Sequence, residues 1–534
     1  MRSILPLSAA AVTLIAAAPV AGQGMDMPMP HPMPAAKTAP KADKAASRPK
    51  KTASPVKKAA STQRPATATK PATPPYADTA VPIPSMEHSP PGHEQHAPPA
   101  ESTSPPVRPG GGAAAGHEMP AMPAMDHAMP GPEAPRMDHK AMGDEMAHAM
   151  TGALGPYPMN REASGTAWQP DMSEHSGVQV MAGDWMLMGH AVLNGVYSRQ
   201  EGPRGGDKTF ASGMVMGMAK RDFVNGNALQ LRAMLSPDPL MGKSGYPLHL
   251  ASGETADGVT PLVDRQHPHD LFMELSASYS LRLSDQDGLF LYAGLPGEPA
   301  FGPPAFMHRM SIMDSPEAPI SHHWLDSTHI TFGVVTAGFV HHNMKIEASR
   351  FHGREPDEHR YDIETGPLDS TAVRMSWNPA PQLSLQASWA YLKSPEQPEP
   401  DANQTRWSAS AIYTKRIAAE GLWSTTLAWG RRTSGHEDLD AWVLESAVKL
   451  KDWTVFGRAE RTENNELVSV AGHHGPTYKV GKLSLGAVRD FRVADHVKFG
   501  IGGLYAFNFV PSALEGLYDG DPQGAMAFFR FKIE

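Results

Sequence analysis

The chain has 534 residues, a net charge of −9, 52 Pro, 31 Met, 25 His and no Cys. Without cysteine it can form no disulfide, no thiolate metal site and no acylated lipoprotein terminus. A zinc-protease HExxH, a phosphate-binding glycine loop and a nucleic-acid-binding signature are also missing, so nucleic acid is not an expected partner. Composition divides the remainder into three unequal parts.

Residues 1–22 read as a signal peptide. Arg2 supplies the charge, Ile4 to Val20 is apolar, and small residues follow at Ala21 and Gly22. A membrane anchor is the alternative, weakened by Pro6 and Pro19. No other run is long enough for a transmembrane helix, so an exported chain without helical spans is expected.

Residues 23–160 read as a disordered periplasmic tail. From Lys37 to Lys70 the sequence is mostly Lys, Ala, Pro, Ser and Thr, with Asp43 the only acid. So few large apolar side chains cannot offset the entropy of ordering. The basic stretch would lie across anionic cell-wall polymer, making peptidoglycan one expected partner; a solvated linker is the plainer reading. On either side lie Met- and His-rich segments. The first, MDMPMPHPMP, holds Met25, Met27, Met29 and His31; the denser one, His117 to Met150, holds Met119, Met122, Met125, His127, Met129, Met137 and His139. Thioether sulfur is a soft ligand suited to Cu(I), and imidazole suits Cu(II), Zn or Ni. Copper ions are therefore the expected cargo or cofactor, with silver the close chemical relative.

From about Asp184 the sequence becomes a succession of alternating segments. In Ser370 to Lys393, Val373, Met375 and Trp377 alternate with Arg374 and Ser376, and Leu383, Leu385, Ala387 and Trp389 alternate with Ser384, Gln386 and Ser388. Period two places one set on each face of a strand, and arms of roughly ten residues can cross a bilayer as tilted strands. The expected strands are 184–198, 210–221, 227–236, 270–283, 287–295, 328–340, 343–351, 369–378, 382–393, 405–415, 422–432, 439–450, 453–462, 478–491, 495–509 and 524–533. Short turns such as Asn225-Gly226 and His341-His342 alternate with long loops. That parity defines an all-β transmembrane antiparallel barrel of about sixteen strands, spanning 161–534, with short turns periplasmic and long loops outside. Trp377, Trp423 and Trp453 near short turns fit an interfacial belt facing outer-membrane lipid.

The signal peptide, the tail with its MDH and MxM repeats and the β-rich C-terminal region resemble the outer-membrane copper-resistance proteins of the B type. The segments DRQHPHD (Asp264 to Asp270) and ISHHWLDSTHITFG (Ile320 to Gly333) look closer to uncharacterised predicted outer-membrane proteins. The resemblance implies copper homeostasis or resistance, with periplasmic copper carriers as partners. The chemistry would sit on the long loops. His267 and His269 flank Pro268, and an X-Pro segment is biased to extended backbone. The next loop holds Met307, His308, Met310, Met313, His322, His323, Asp326 and His329, and a third holds His352, Glu355, Asp357, Glu358 and His359. His267, His269, His308, His322, His323 and His329 are the candidate metal ligands of the barrel. Arg374, Glu445, Lys449 and Arg458 are candidate lumen-wall residues. Ser321 and Ser327 near His322 and His329 permit an acyl-transfer guess, but no nucleophile motif is present and no enzyme is expected. The expected function is copper or silver homeostasis by sequestration or passage; the alternative is a general solute porin with an accessory tail.

Overall fold

The computed structural model describes residues 150–174, 177–435, 437–469 and 474–534, and the tail ligands from Met25 to His139 lie outside them. The first strands are β1 (Val178–Ala182), β2 (Trp185–Gln200), β3 (Gly206–Asp222) and β4 (Ala228–Leu235). A separate hairpin follows, β5 (Tyr246–Thr255) with β6 (Pro261–Gln266). Next come β7 (Phe272–Arg282), β8 (Asp287–Gly294), β9 (Val334–His341), β10 (Met344–Phe351), β11 (Ser370–Ala380) and β12 (Leu383–Leu392). The wall is completed by β13 (Gln404–Ala418), β14 (Gly421–Ser434), β15 (Glu437–Leu450), β16 (Trp453–Asn464), β17 (Tyr478–Ala494), β18 (Val497–Phe509) and β19 (Gln523–Ile533). Two short helices are α1 (His322–Leu325) and α2 (Ser512–Tyr518).

Sixteen strands close into an antiparallel barrel, β2 to β4 and β7 to β19. The seam is β19 on β2, with Ile533 opposite Ala191 and Gly524 opposite Gln200. The strip β1 pairs with the part of β2 that β19 does not reach, Val178 opposite Gly189. Each expected strand overlaps a barrel strand. One begins later than expected: residues Ser327–His329 form a 3-10 turn, and β9 starts at Val334.

Period two explains why this sequence makes a membrane wall. Along β18, Ile501, Tyr505 and Phe509 face outward at 58, 40 and 51 % exposure, while Asn508 is buried on the lumen face. Leu231, Leu291, Leu427, Leu444 and Phe529 continue the exposed apolar band, the arrangement lipid requires. Trp377, Trp423 and Trp453 are exposed close to the short turns. Nearer the other rim Trp389 pairs with Trp407 and Trp429 with Trp442, a second aromatic girdle. Short turns (283–286, 342–343, 381–382, 451–452, 495–496) collect at one rim. The long connections 236–271, 295–333, 352–369 and 510–522 collect at the other. His342 sits in the left-handed region within its turn, and its carbonyl accepts from Arg161 Nη1 at 3.1 Å.

Protein fills the lumen. From the long-loop rim, connection 295–333 folds inward against basic wall residues. Glu317 is held by Lys482 at 2.9 Å and Arg458 at 3.2 Å, and Asp314 by Arg530 at 2.5 Å. Arg309 runs the other way, forking onto Glu445 of β15 at 2.7 and 2.8 Å. The indole of Trp324 donates to the Leu439 carbonyl at 3.0 Å, and α1 rests on the β14 backbone at Gly430, where a Cβ would come within 2.4 Å of the Trp324 carbonyl. Residues 150–174, ahead of β1, line the lumen near the short-turn rim. Met172 N–H donates to the Pro381 carbonyl at 2.9 Å, Lys220 donates to the Thr151 carbonyl at 2.7 Å, and Lys345 donates to the Thr166 carbonyl. Arg374, Arg406 and Arg458 consequently show only 1 % exposure, although their strands form the wall of a pore-sized barrel.

Candidate metal centre in the lumen

Five imidazoles meet where connections 236–271 and 295–333 cross inside the barrel. The HPHD segment leaves β6 extended around Pro268, so His267 and His269 project from one side, with ring centres 6.4 Å apart. His322 and His323 are successive residues of α1 and fan apart around its axis. His329 follows in the 3-10 turn. Ring centres are 5.8 Å apart for His323 and His267, 6.0 Å for His267 and His322, and 5.2 Å for both His322–His329 and His329–His269. Phe306 closes one side, 5.8 Å from His322 and 6.2 Å from His269.

Every one of the five rings uses Nδ1 on a protein oxygen. His269 reaches Asp238 at 2.8 Å, His322 reaches Asp326 at 2.8 Å, and His329 reaches the Asp326 carbonyl at 2.7 Å. His267 lies 3.1 Å from Glu254 and His323 3.4 Å from Glu355. The His322–Asp326 pair is an i, i+4 pair, the spacing that puts two side chains over one another. An oxygen on Nδ1 fixes the tautomer with its lone pair on Nε2 and raises ligand basicity, the usual outer shell of a metal-bound histidine. Nε2 of His267, His269, His323 and His329 is buried and has no hydrogen-bond partner among the described residues. Gly253, in a left-handed conformation, leaves room beside His323; a Cβ there would stand 2.4 Å from its Nε2.

The electrostatics keep several of these rings neutral. Burial, reinforced by Arg360 and the neighbouring imidazoles, holds His267 well below the usual histidine range. Burial and the nearby His269 and His322 do the same for His329. Burial pushes Glu254 and Asp270 up to about 7 against the pull of Arg360, which binds both. Burial would also raise Asp326, yet Arg309 and His322 hold it well below the carboxylate range.

His267, His269, His329 and His322 close into a loop of neighbouring rings with His323 beside His267 and His322, and their ligand atoms are not gathered into one compact cage. Among the described residues, the groups of at least three His, Asp or Glu whose ligand atoms all lie within 4.8 Å of one another are elsewhere. One is Asp357–Glu358–His359 on connection 352–369. The other is Glu396–Glu399–His474, where His474 Nε2 is 3.1 Å from Glu396 and Arg432 already pairs with Glu396 at 3.2 Å. Of the six barrel histidines read from sequence, His308 stands apart from the five, near His190 with ring centres 6.4 Å apart. Glu355 joins the cluster, whereas His359 pairs with Asp357 at the surface. Asp264 is spent on Arg204, Tyr518 of α2 and the Leu250 N–H. Ser321 donates to Glu460 at 2.7 Å and Ser327 to Glu355 at 3.2 Å. Asp238 and Glu254 were absent from the sequence reading; both lie in a connection whose fold carries no period.

Closed wall, apolar belt, aromatic girdles and inward loops define a transmembrane β-barrel with an occluded lumen. Solved structures similar to it are outer-membrane barrels. Salmonella typhi OmpF, in complex with daunomycin, shares 10 % identity over 66 % of this chain and 100 % of its own, with a TM-score of 0.43. Pseudomonas putida OprB shares 8 % over 67 % and 99 %, with a TM-score of 0.41. OmpT, an outer membrane protein of Vibrio cholerae, shares 7 % over 66 % and 100 %, with a TM-score of 0.37. No protein-family model and no curated protein matches the sequence.

Proposed function

We propose that the chain is a porin-like outer-membrane barrel whose constriction is a metal-handling centre, serving copper or silver homeostasis. The observation that carries this reading is the cluster of five lumen imidazoles, each anchored at Nδ1, four with a buried Nε2 that has no hydrogen-bond partner among the described residues. Buried polar atoms are ordinarily satisfied, so four such nitrogens in one place call for a shared ligand. Neutral imidazole suits copper, zinc and nickel; the Met- and His-rich segments between Met25 and Met150 favour copper or silver among them. In this reading those segments capture the ion on the periplasmic side, and the barrel holds it or lets it pass. A second reading, a general solute porin, is favoured by the inward connection 295–333 against a basic wall, a porin-like constriction.

The two readings separate in a titration of the full chain in detergent against copper, with a competing chelator. Replacing His267, His269 and His329 by Gln is expected to remove one class of tight sites and leave the tail sites in place. Replacing Met119, Met122, Met125 and Met129 by Leu is expected to weaken Cu(I) binding and spare the histidine class. If the triple Gln variant binds copper like the parent, the lumen centre is not a metal site. Ion conductance through the parent that is indifferent to copper would favour the porin.

A further inference from the structure

The lumen face of β2, β3 and β4 contributes no ring to the imidazole cluster, yet Met186, Met188, Met214, Met216, Met218 and Met234 are buried on it. Met214, Met216 and Met218 follow one another on β3, each under 10 % exposed, while Val215 between them faces lipid at 45 %. The register sets Met188 opposite Met218, and His190 opposite Met216, which itself faces Met234 across the next pair. Residues i and i+2 on a strand stand about 6.6 Å apart, and methionine has three rotatable bonds with which to shorten that step. Connection 295–333 brings Met307, Met310 and Met313 against this wall from inside.

Two cavities follow the wall. One of about 50 Å³ touches His267 and His269 together with Met214, Met307 and Met313. The other, of about 70 Å³, touches His190, Met216, Met218, His308, Met310 and again Met313. The second also reaches Glu174 and Glu534 at the short-turn rim, and two cations line it, Arg232 paired with Glu274 at 2.9 Å and Lys532 paired with Glu534 at 2.8 Å. Met313 lines both cavities, so soft donors lead from the imidazole cluster as far as Met310 and His308, and the carboxylates of Glu174 and Glu534 lie between them and the short-turn rim.

We propose that this methionine wall is a transfer path for a soft monovalent cation, Cu(I) or Ag(I), between the imidazole cluster and the short-turn rim. The proposal rests on the metal-handling reading and adds the oxidation state and the route. Neutral thioethers bind Cu(I) and Ag(I) but cannot replace the water of sodium or magnesium, so the path selects by softness. Several weak sites in series allow an ion to enter and also to leave. Methionine used only as packing would be served equally by leucine at Met214 and Met216, whereas Met218 Sδ also accepts from Gln230 Nε2 at 3.0 Å, so Met216→Leu alone is the variant free of that bond.

That equivalence gives the test. The full chain is reconstituted in liposomes and the uptake of Ag(I) is compared with that of Na(I). Met214→Leu/Met216→Leu/Met218→Leu, with Met216→Leu alone as the milder variant, is expected to slow Ag(I) at least tenfold and threefold respectively, leaving Na(I) unchanged. In the parent, the ¹³C ε-methyl signals of these three residues, assigned by single Leu variants, are expected to shift on Ag(I) addition. Wild-type Ag(I) rates in both Leu variants, or methyl signals that stay fixed at saturation, overturn the path. His267→Gln/His329→Gln separates the two ideas: lost Ag(I) uptake there with intact uptake in the Leu variants leaves the imidazole centre standing alone. Parent vesicles that pass Ag(I) no faster than Na(I) overturn the path, and the imidazole centre is then judged by the copper titration alone.

Discussion

Replacing Arg309 by Met is expected to raise the ion conductance of the barrel several-fold in planar bilayers. Arg309 is 2 % exposed and ties the inward connection to the wall through two bonds to Glu445, while bonds to Asp326 at 2.6 Å and to the Pro304 carbonyl at 2.8 Å brace the connection from within. Methionine fills much of the same volume but leaves two buried carboxylates without their cation. Truncating one partner of a buried pair costs about 3–5 kcal/mol, and the cheapest relief is to let water reach Glu445 by moving the connection away. The barrel itself should survive, because its sixteen ladders do not pass through Arg309. Arg309→Lys keeps the charge without the fork and should fall between parent and Met variant. Protease added outside should cut near Pro316 in the Met variant and spare the parent, in which Ser315 and Glu317 are buried. A Met variant with parental conductance and parental protease resistance would show that the connection is not held through Arg309.

The wall was legible in the sequence because each strand carries its own evidence. Lipid on one side and protein on the other force a period of two, and Phe529 against Arg530 or Ile501 against Gly502 shows it within a few residues. The contents of the lumen were not legible in the same way. Residues 150–174 hold their place through partners such as Lys220, Lys345 and Pro381, all far away in sequence, and they have no period of their own. The hairpin of β5 and β6 was hidden because both of its faces meet protein: Leu248, His249 and Leu250 are all 0 % exposed, so alternation is lost. The imidazoles were recognisable as residue types, but their convergence depends on two connections crossing inside a closed barrel. The methionine wall lies between these cases. Alternation in Met214-Val215-Met216-Gly217-Met218 was open to view, whereas the pairing of Met188 with Met218 needed the register.

Asp238→Asn is expected to weaken metal binding at the lumen centre by about 10–100-fold, the range found when an outer-shell partner of a ligand histidine is changed. Asp238 sits in a 3-10 turn at the start of connection 236–271 and uses both oxygens: Oδ2 accepts from His269 Nδ1 at 2.8 Å and from the His269 N–H at 3.3 Å, and Oδ1 accepts from the Gly213 N–H at 3.3 Å. Among the described residues it is the sole carboxylate bonded to that imidazole, and it pairs with no Lys or Arg. Asparagine has nearly the same shape but only one accepting atom. If its oxygen faces His269, its amide N–H₂ is driven against the Gly213 N–H; if it faces Gly213, two donors meet at His269 Nδ1. Either arrangement lowers the basicity of Nε2 or turns the ring away from His329, 5.2 Å distant. The loss should therefore appear in metal affinity while heat stability changes little, since β3 to β4 pairing is untouched. Asp222→Asn, on the lumen side of the short-turn rim beside Lys220, serves as a charge-matched control and should leave affinity unchanged. Equal affinity in Asp238→Asn and in that control would mean that His269 carries no metal.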